Sequence, residues 1–332
     1  MTRKVASVAE INAVTAINQA LLEMMQVDPR VVLLGEDVGP NGGVFRVSEG
    51  LWQQFGDQRV MDTPLAESGI VGSAIGMAIG GLRPIAEIQF MGFLYPALNQ
   101  IFSHLGRVGQ RSAGKFRVPL VVRIPYGGGI RAPEQHADSA EAMLVHTPGL
   151  KVVVPSTPYD AKGLLYAAVE DPDPVIFLEP IKLYRLGRME VPSGRVSVPI
   201  GPARVARGGR DVTVVTWGAM NHLAMEAANE LAQSSISVEI IDLRTLKPMD
   251  TKTIAESVQK TGRAVVLHEA PRTAGLGGEV VASIQDEAFW WLKTPVRRVT
   301  AYDVPYPPFA WEDWYMPTKE RLVRAIQQAL AD

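Results

Sequence analysis

The sequence predicts an α/β protein built as two open, mostly parallel-sheet domains. Three observations carry this reading. Short apolar runs alternate with helical patterns through residues 1–185, the alternation stops over residues 186–210, and a second alternating series fills residues 211–332. Strands that alternate with helices pair in parallel, because a parallel pair needs a long crossover and a helix supplies it. At 332 residues the chain is long enough for two domains, each with its own core.

In the first series, helical patterns are expected at 8–26, 48–55, 65–80, 96–111 and 159–170, with strand-like runs at 31–35, 59–61, 84–90, 120–124, 151–154 and 175–178. Open parallel sheets bind ligands at the carboxyl ends of their strands. The segments that follow the runs therefore matter most: Gly35-Glu36-Asp37, Asp62-Thr63-Pro64, Gln89-Phe90 and Pro125-Tyr126-Gly127-Gly128-Gly129. Glu36, Glu67 and Gln89 are expected on one rim. From Glu179 the pattern loosens into Pro, Gly and Arg, which places a linker at 186–210. The second series runs through 212–217, 222–233, 238–242, 250–261, 264–268, 278–289, 296–301 and 318–330. No internal repeat or low-complexity tract is found.

Composition narrows the function classes. A net charge of −2 and a pI near 6.3 speak against nucleic acid or an anionic membrane as the main partner. The chain has no cysteine, so disulfides, thiolate nucleophiles and cysteine-ligated metals are excluded. Residues 6–25 form a helical pattern without the charged-then-apolar layout of a signal peptide. A bacterial cytoplasmic protein is the simplest expectation, and a processed organellar (mitochondrial matrix) protein the alternative.

The stretch from Met61 to Phe93 is the most informative. Thr63 is a helix-capping residue type and Pro64 suits a first helical position. Glu67 falls one residue too late for a capping box with Thr63, so its carboxyl group is free. Among Leu65, Ala66, Ile70 and Val71 that group is expected to be desolvated, with a raised pKa, as an enzyme needs of an acid that holds and passes a proton. The plainer reading is an acid complementing the helix dipole. Gly69, Gly72, Gly76 and Gly80 leave one side of the helix nearly bare for a close neighbour, and the run is too short and glycine-rich to span a bilayer.

Gly127-Gly128-Gly129 leads to His136, which could shuttle protons near neutral pH or be an ordinary loop histidine. His146 reads as a turn residue and His104 as structural. Gly275-Leu276-Gly277-Gly278 opens a helix and could receive an anion, but it does not match Gly-x-Gly-x-x-Gly. No Walker, His-Glu-x-x-His or Gly-x-Ser-x-Gly motif is present. Phe289, Trp290, Trp291, Tyr302, Tyr306, Phe309, Trp311 and Trp314 are expected in a core or a subunit interface.

Several motifs taken together resemble one family. Leu34 to Val38 (LGEDV), Asp62 to Glu67 (DTPLAE), Glu87 to Phe90 (EIQF), Glu134 to Ser139 (EQHADS) and Pro148 to Val153 (PGLKVV) occur in the family's order, followed by Val238 to Thr245 and Thr261 to Ala264. The chain resembles, over almost its full length, the beta subunits of the decarboxylating component of 2-oxo acid dehydrogenase complexes. The resemblance implies a thiamine-diphosphate-binding, pyrimidine-type domain followed by a transketolase C-terminal-like domain. It implies thiamine diphosphate with Mg²⁺ at an interface with a different, alpha chain. The Gly-Asp-Gly segment and paired asparagines that hold diphosphate and Mg²⁺ are not found here, which assigns that half of the site to the partner.

By the same resemblance, Glu67 matches the glutamate that hydrogen-bonds the aminopyrimidine ring nitrogen. Leu65 matches the residue whose backbone faces the pyrimidine amino group, and Glu36 a second acid of the proton network. Gln89 matches a side chain near the reacting centre, and His136 the histidine that handles protons or positions substrate and lipoyl group. Phe93 stands where some branched-chain enzymes have tyrosine, which favours pyruvate. Val118, Leu120, Val121, Ala168, Asp171 and Asp173 match a structural potassium site, several through backbone carbonyls, with Asp173 replacing an asparagine of some relatives.

The expected function is oxidative decarboxylation of a 2-oxo acid, pyruvate first and branched-chain acids next, with reductive acylation of a lipoyl group. The expected assembly pairs two alpha with two beta chains, joins the second beta chain through the C-terminal domain and docks on a lipoyl acyltransferase core. The rival readings are the beta chain of an acetoin-cleaving complex and a catalytically silent assembly subunit.

Overall fold

The computed structural model describes residues 8–332, so Ala6 and Ser7 of the expected N-terminal helical pattern lie outside the described residues. Strand β1 (Val8–Ile11) is followed by α1 (Ala13–Val27), β2 (Val31–Gly35), α2 (Leu51–Phe55), β3 (Val60–Asp62), α3 (Glu67–Ile79), β4 (Arg83–Glu87) and α4 (Val108–Arg111). The first half continues through β5 (Val121–Tyr126), α5 (Glu141–His146), β6 (Lys151–Val153), α6 (Pro158–Glu170), β7 (Val175–Pro180) and β8 (Met189–Pro192). The second contains β9 (Arg204–Arg207), β10 (Val212–Thr216), α7 (Met220–Ala232), β11 (Val238–Asp242), β12 (Thr245–Lys247) and α8 (Thr251–Thr261). It ends with β13 (Ala264–Pro271), α9 (Gly277–Ala288), β14 (Arg297–Ala301), α10 (Glu312–Tyr315) and α11 (Lys319–Ala331).

The two-sheet expectation holds. One sheet has the order β12-β6-β7-β5-β4-β2-β3 and is parallel except for its β12 edge; the other has the order β14-β13-β10-β11-β9 and is parallel except for β9. Helices cover the faces, so the inner strands β2, β5, β7 and β10 are buried along their whole length and are mostly apolar, with Arg123 in β5 and Glu179 in β7 as the charged exceptions. Strand β12 comes from the second half of the chain yet joins the first sheet through β6. One apolar core runs through the seam, where Ile124, Tyr126 and Val154 meet Val215, Trp217 and Leu243.

Local differences from the expected elements have local causes. The first helix starts at Ala13 rather than residue 8, because Val8–Ile11 pairs with β8 and Asn12 Oδ1 caps the helix by accepting from Thr15 N at 3.0 Å. Both β8 and β9 lie within the stretch 186–210, which is therefore more ordered than a plain linker. The helix at 48–55 begins only at Leu51, after Gly50 at φ +81°. Residues 96–111 form no single helix: a 3₁₀ segment Met91–Ala97 contains Pro96, a π-type turn covers Gln100–Leu105, and α4 is one turn long. Proline removes one helical donor, and Gly92 and Gly106 press against neighbouring backbone, where a Cβ would lie 2.3 Å from the Gln135 carbonyl and 2.7 Å from that of Pro148.

Helix α3 starts at Glu67, not at residue 65, and Thr63 does not cap it. Thr63 N donates to the Gly35 carbonyl, which keeps the chain extended beyond β3, and its buried hydroxyl has no partner among the described residues. Of the aromatic residues expected in a core or a subunit interface, only Tyr306 is buried: Trp290 is 88% exposed, and Phe289, Trp291, Tyr302, Phe309, Trp311 and Trp314 are also exposed. Gly275 and Gly277 lie against the buried His268 ring, where Cβ atoms would come within 2.9 and 2.5 Å, so close packing accounts for these two glycines.

Candidate active site

Parallel register aligns the strand ends that carry the expected residues. Gly35 pairs with Asp62 on one side and Glu87 on the other, so β3, β2 and β4 end together. Glu36 leaves β2, Glu67 opens α3 just after β3, Gln89 follows β4, and the glycine loop with His136 follows β5. The structure thus brings Glu36, Glu67, Gln89 and His136 to one rim, as the alternation of strands and helices requires.

Each side chain has a definite setting. Glu36 is half-buried; burial pushes its pKa up, and the negative charges of Asp37 and Glu67 push it further. Glu67 is half-buried in the first turn of α3, but the apolar cover expected around it is partly missing. Leu65 is 73% exposed and Ala66 is exposed. Gln89 is buried and donates from Nε2 to Asp37 Oδ2 at 3.2 Å, with Asp37 held at φ +59°. His136 Nδ1 lies 3.0 Å from the Glu134 carbonyl, so geometry assigns the proton to Nδ1 and leaves Nε2 as the acceptor. Its ring packs against Phe90 at 4.4 Å and Phe93 at 5.0 Å. Phe93 therefore meets the expected catalytic histidine directly, with an edge-on ring.

Beneath this rim lies a charge network that the sequence reading did not identify. Arg123 is completely buried in β5, with Nη1 2.6 Å from Glu87 Oε2 and Nε 2.6 Å from Glu179 Oε1. Burial works against its charge, but Glu179 and then Glu87 more than offset this and hold the guanidinium protonated. The signal was available, since a lone arginine interrupts an apolar strand and buried charges need partners. Glu87 belongs to the strand that presents Gln89, so this network fixes the floor of the site.

Asp171, Asp173 and the residues Val118 to Val121 that lead into β5 lie at the opposite end of β5 and β7. Both Asp171 oxygens receive Lys151 Nζ at 2.7 Å, and Asp173 receives Arg117 Nη1 at 2.8 Å. The two carboxylates are thus balanced by two side-chain cations and do not fit as principal ligands of a metal ion. The carbonyls of Val118 and Leu120 accept from Leu120 N and Val175 N, each with a second lone pair remaining. Among the described residues, no group of three or more His, Cys, Asp or Glu side chains is placed to hold a metal.

An open rim of acids, amide and histidine at the ends of a parallel sheet, followed by a second α/β domain, defines a chain of the transketolase class. Residues 9–187 match the family model "Transketolase, pyrimidine binding domain" and residues 201–322 match "Transketolase, C-terminal domain". A solved chain described as a split-gene transketolase, an inactive beta4 tetramer, superposes with a TM-score of 0.79 at 26% identity, covering 97% of this chain and 99% of that one. Among curated relatives, the "Pyruvate dehydrogenase E1 component subunit beta" of Acholeplasma laidlawii is 48% identical over 96% of this chain and 98% of its own length. The subunit of the same name from Bacillus subtilis is 47% identical over 97% and 99%. The chain belongs to the family of pyruvate dehydrogenase E1 beta subunits.

Proposed function

We propose that this chain is the beta subunit of a thiamine diphosphate-dependent pyruvate dehydrogenase component and supplies half of each active site. The single observation that carries the reading is the rim itself: Glu36, Glu67, Gln89 and His136 meet at aligned strand ends, beside a Leu65 side chain exposed for a partner to cover. Thiamine diphosphate, when bound, would supply the electron sink that accepts the electron pair left on the substrate when the 2-oxo acid loses carbon dioxide. The chain supplies orientation, proton handling and exclusion of water. Glu67 would bond the pyrimidine ring nitrogen, the Leu65 backbone would face the amino group, and Glu36 would stand as the second acid of the proton network, its pKa raised by burial and then by the charges of Asp37 and Glu67. His136 offers Nε2 as the acceptor during acyl transfer to the lipoyl group, and Gln89 and Phe93 line the approach.

The alpha subunit holds the diphosphate and Mg²⁺, two alpha and two beta chains assemble, and the complex docks on a lipoyl acyltransferase core in the cytoplasm. A potassium ion would be held mainly through main-chain carbonyls among Val118, Leu120, Val121 and Ala168, since Asp171 and Asp173 already have cationic partners.

Co-expression with the alpha chain and a dye-reduction screen tests the reading. Turnover is expected with pyruvate above branched 2-oxo acids and acetoin, and saturable binding of thiamine diphosphate with Mg²⁺ only in the assembled component. Acetoin as the best substrate, or a beta chain that binds the cofactor fully by itself, contradicts it.

A further inference from the structure

The loop that carries His136 is gripped from the C-terminal half of the same chain. Glu312, the first residue of α10, is only 2% exposed and accepts the Arg131 N–H through both oxygens, at 3.1 and 2.9 Å. Tyr306 OH donates to the same carboxylate. Arg131 sits at φ +57°, a left-handed conformation that a residue with a side chain keeps only when its surroundings impose it. The guanidinium of Arg131 pairs with Asp313 at 2.8 Å and lies over the Phe309 ring at 5.4 Å. Ala132 and Ala137, on either side of the histidine, are buried in the core of the C-terminal domain beside Tyr306, Tyr315 and Met316. The loop is also tied to the N-terminal domain: the Gln135 carbonyl accepts from Gly92 N at 3.0 Å, and Asp138 accepts from Tyr95 OH at 3.1 Å.

We infer that the segment 309–316 is a clamp on the His136 loop and that Glu312 is a positioning residue for the acyl-transfer half of the reaction, an inference that rests on the role proposed for His136. Glu312 acts on the loop through the Arg131 N–H, which both of its oxygens accept. Its two acceptor oxygens fix the peptide of Arg131 and so set where Pro133, Glu134 and His136 stand. The C-terminal domain thereby contributes to chemistry performed at the strand ends of its neighbour. A buried carboxylate receiving a backbone N–H and a phenol hydroxyl makes charge-assisted hydrogen bonds, which hold geometry better than neutral ones. Loss of such a support displaces a proton-transferring ring without touching it.

The test compares Glu312→Ala, Glu312→Gln and His136→Ala in the component reconstituted with its alpha chain. Glu312→Ala is expected to lower kcat for lipoyl-domain acylation by about tenfold or more, since small displacements of an oriented group are costly. The KM for the lipoyl domain is expected to stay within about twofold of wild type, because binding and positioning are separable. Trypsin cleavage after the exposed Arg131 is expected to accelerate, and Glu312→Gln, whose amide oxygen still accepts, to restore most of both effects. Wild-type acylation and unchanged cleavage in Glu312→Ala overturn the clamp. Equal losses in Ala and Gln variants with collapse of the thermal transition also overturn it, since they make Glu312 a folding residue only. If His136→Ala acylates normally, the role of His136 fails, and faster cleavage at Arg131 then still separates a real clamp from none.

Discussion

Glu269 lies directly beneath Gly127: a Cβ built on the glycine would meet Glu269 Oε1 at 2.0 Å. Glu269 is buried at the end of β13, and Gly127, at φ +83°, begins the loop that leads to His136. The two domains thus meet where a buried acid supports the glycine loop. Gly127→Ala is expected to destabilise the chain by about 3 kcal/mol, through both the left-handed backbone and the overlap. A denaturant midpoint equal to wild type would show that the loop gives way freely.

The same acid predicts how stability depends on pH. Burial, then the charge of Glu141, push Glu269 up to about 8 against the pull of Lys182, and burial pushes Glu141 up to about 7. Among the described residues, Oε2 of Glu269 has no hydrogen-bond partner, and burial of both acids favours the neutral forms. The folded chain therefore keeps protons that the unfolded chain has released by about pH 4.5. Stability from this pair falls as pH rises from about 4.5 to 8, by at most about 1.4 kcal/mol per unit for each group. His268, pushed down to about 4 by burial, Arg298 and Arg272, acts in the opposite sense between pH 4 and 6.5. The comparison is therefore wild type against Glu141→Gln/Glu269→Gln, whose amides imitate the protonated acids. The double variant is expected to have the shallower loss of stability between pH 5 and 8, and parallel profiles would refute the assignment.

His136→Ala is expected to impair lipoyl acylation by about 10²-fold or more while pyruvate decarboxylation in the dye assay suffers less. The geometry behind this is the single acceptor nitrogen left by the Nδ1 contact with the Glu134 carbonyl. Equal losses in both assays would assign the histidine to decarboxylation instead.

Potassium held by carbonyls predicts a stability effect without a catalytic one. Exchanging potassium for lithium in the buffer is expected to lower the melting temperature of the assembled component by about 2 °C or more. Identical melting in both salts would mean that Lys151 and Arg117 satisfy the site unaided.

The alternation of apolar runs and helical patterns revealed both sheets and the rim in advance, because strand ends in a parallel sheet must collect their loops on one side. Glu36, Glu67 and Gln89 were legible on the rim for that reason, whereas His136 was singled out by the glycine loop that leads to it. The start of α3 was not: Thr63 looks like a cap by type, but its N–H is drawn to Gly35 across the sheet, a contact between distant residues. The stretch 96–111 misled in the same way, since its periodicity hides backbone contacts at Gly92 and Gly106. The aromatic residues of the second half carry a hydrophobic signal that does not say whether the interior or the surface receives them. Glu312 gave no local sign, because its partner Arg131 is remote in sequence.

Deuterium exchange at the thiazolium C2 of bound thiamine diphosphate in the Glu67→Gln component tests the account most directly. Slowing by about 10²-fold or more, with the alpha and beta chains still assembled, is the predicted result. Exchange at the wild-type rate would remove Glu67 from the proton path and with it the central claim.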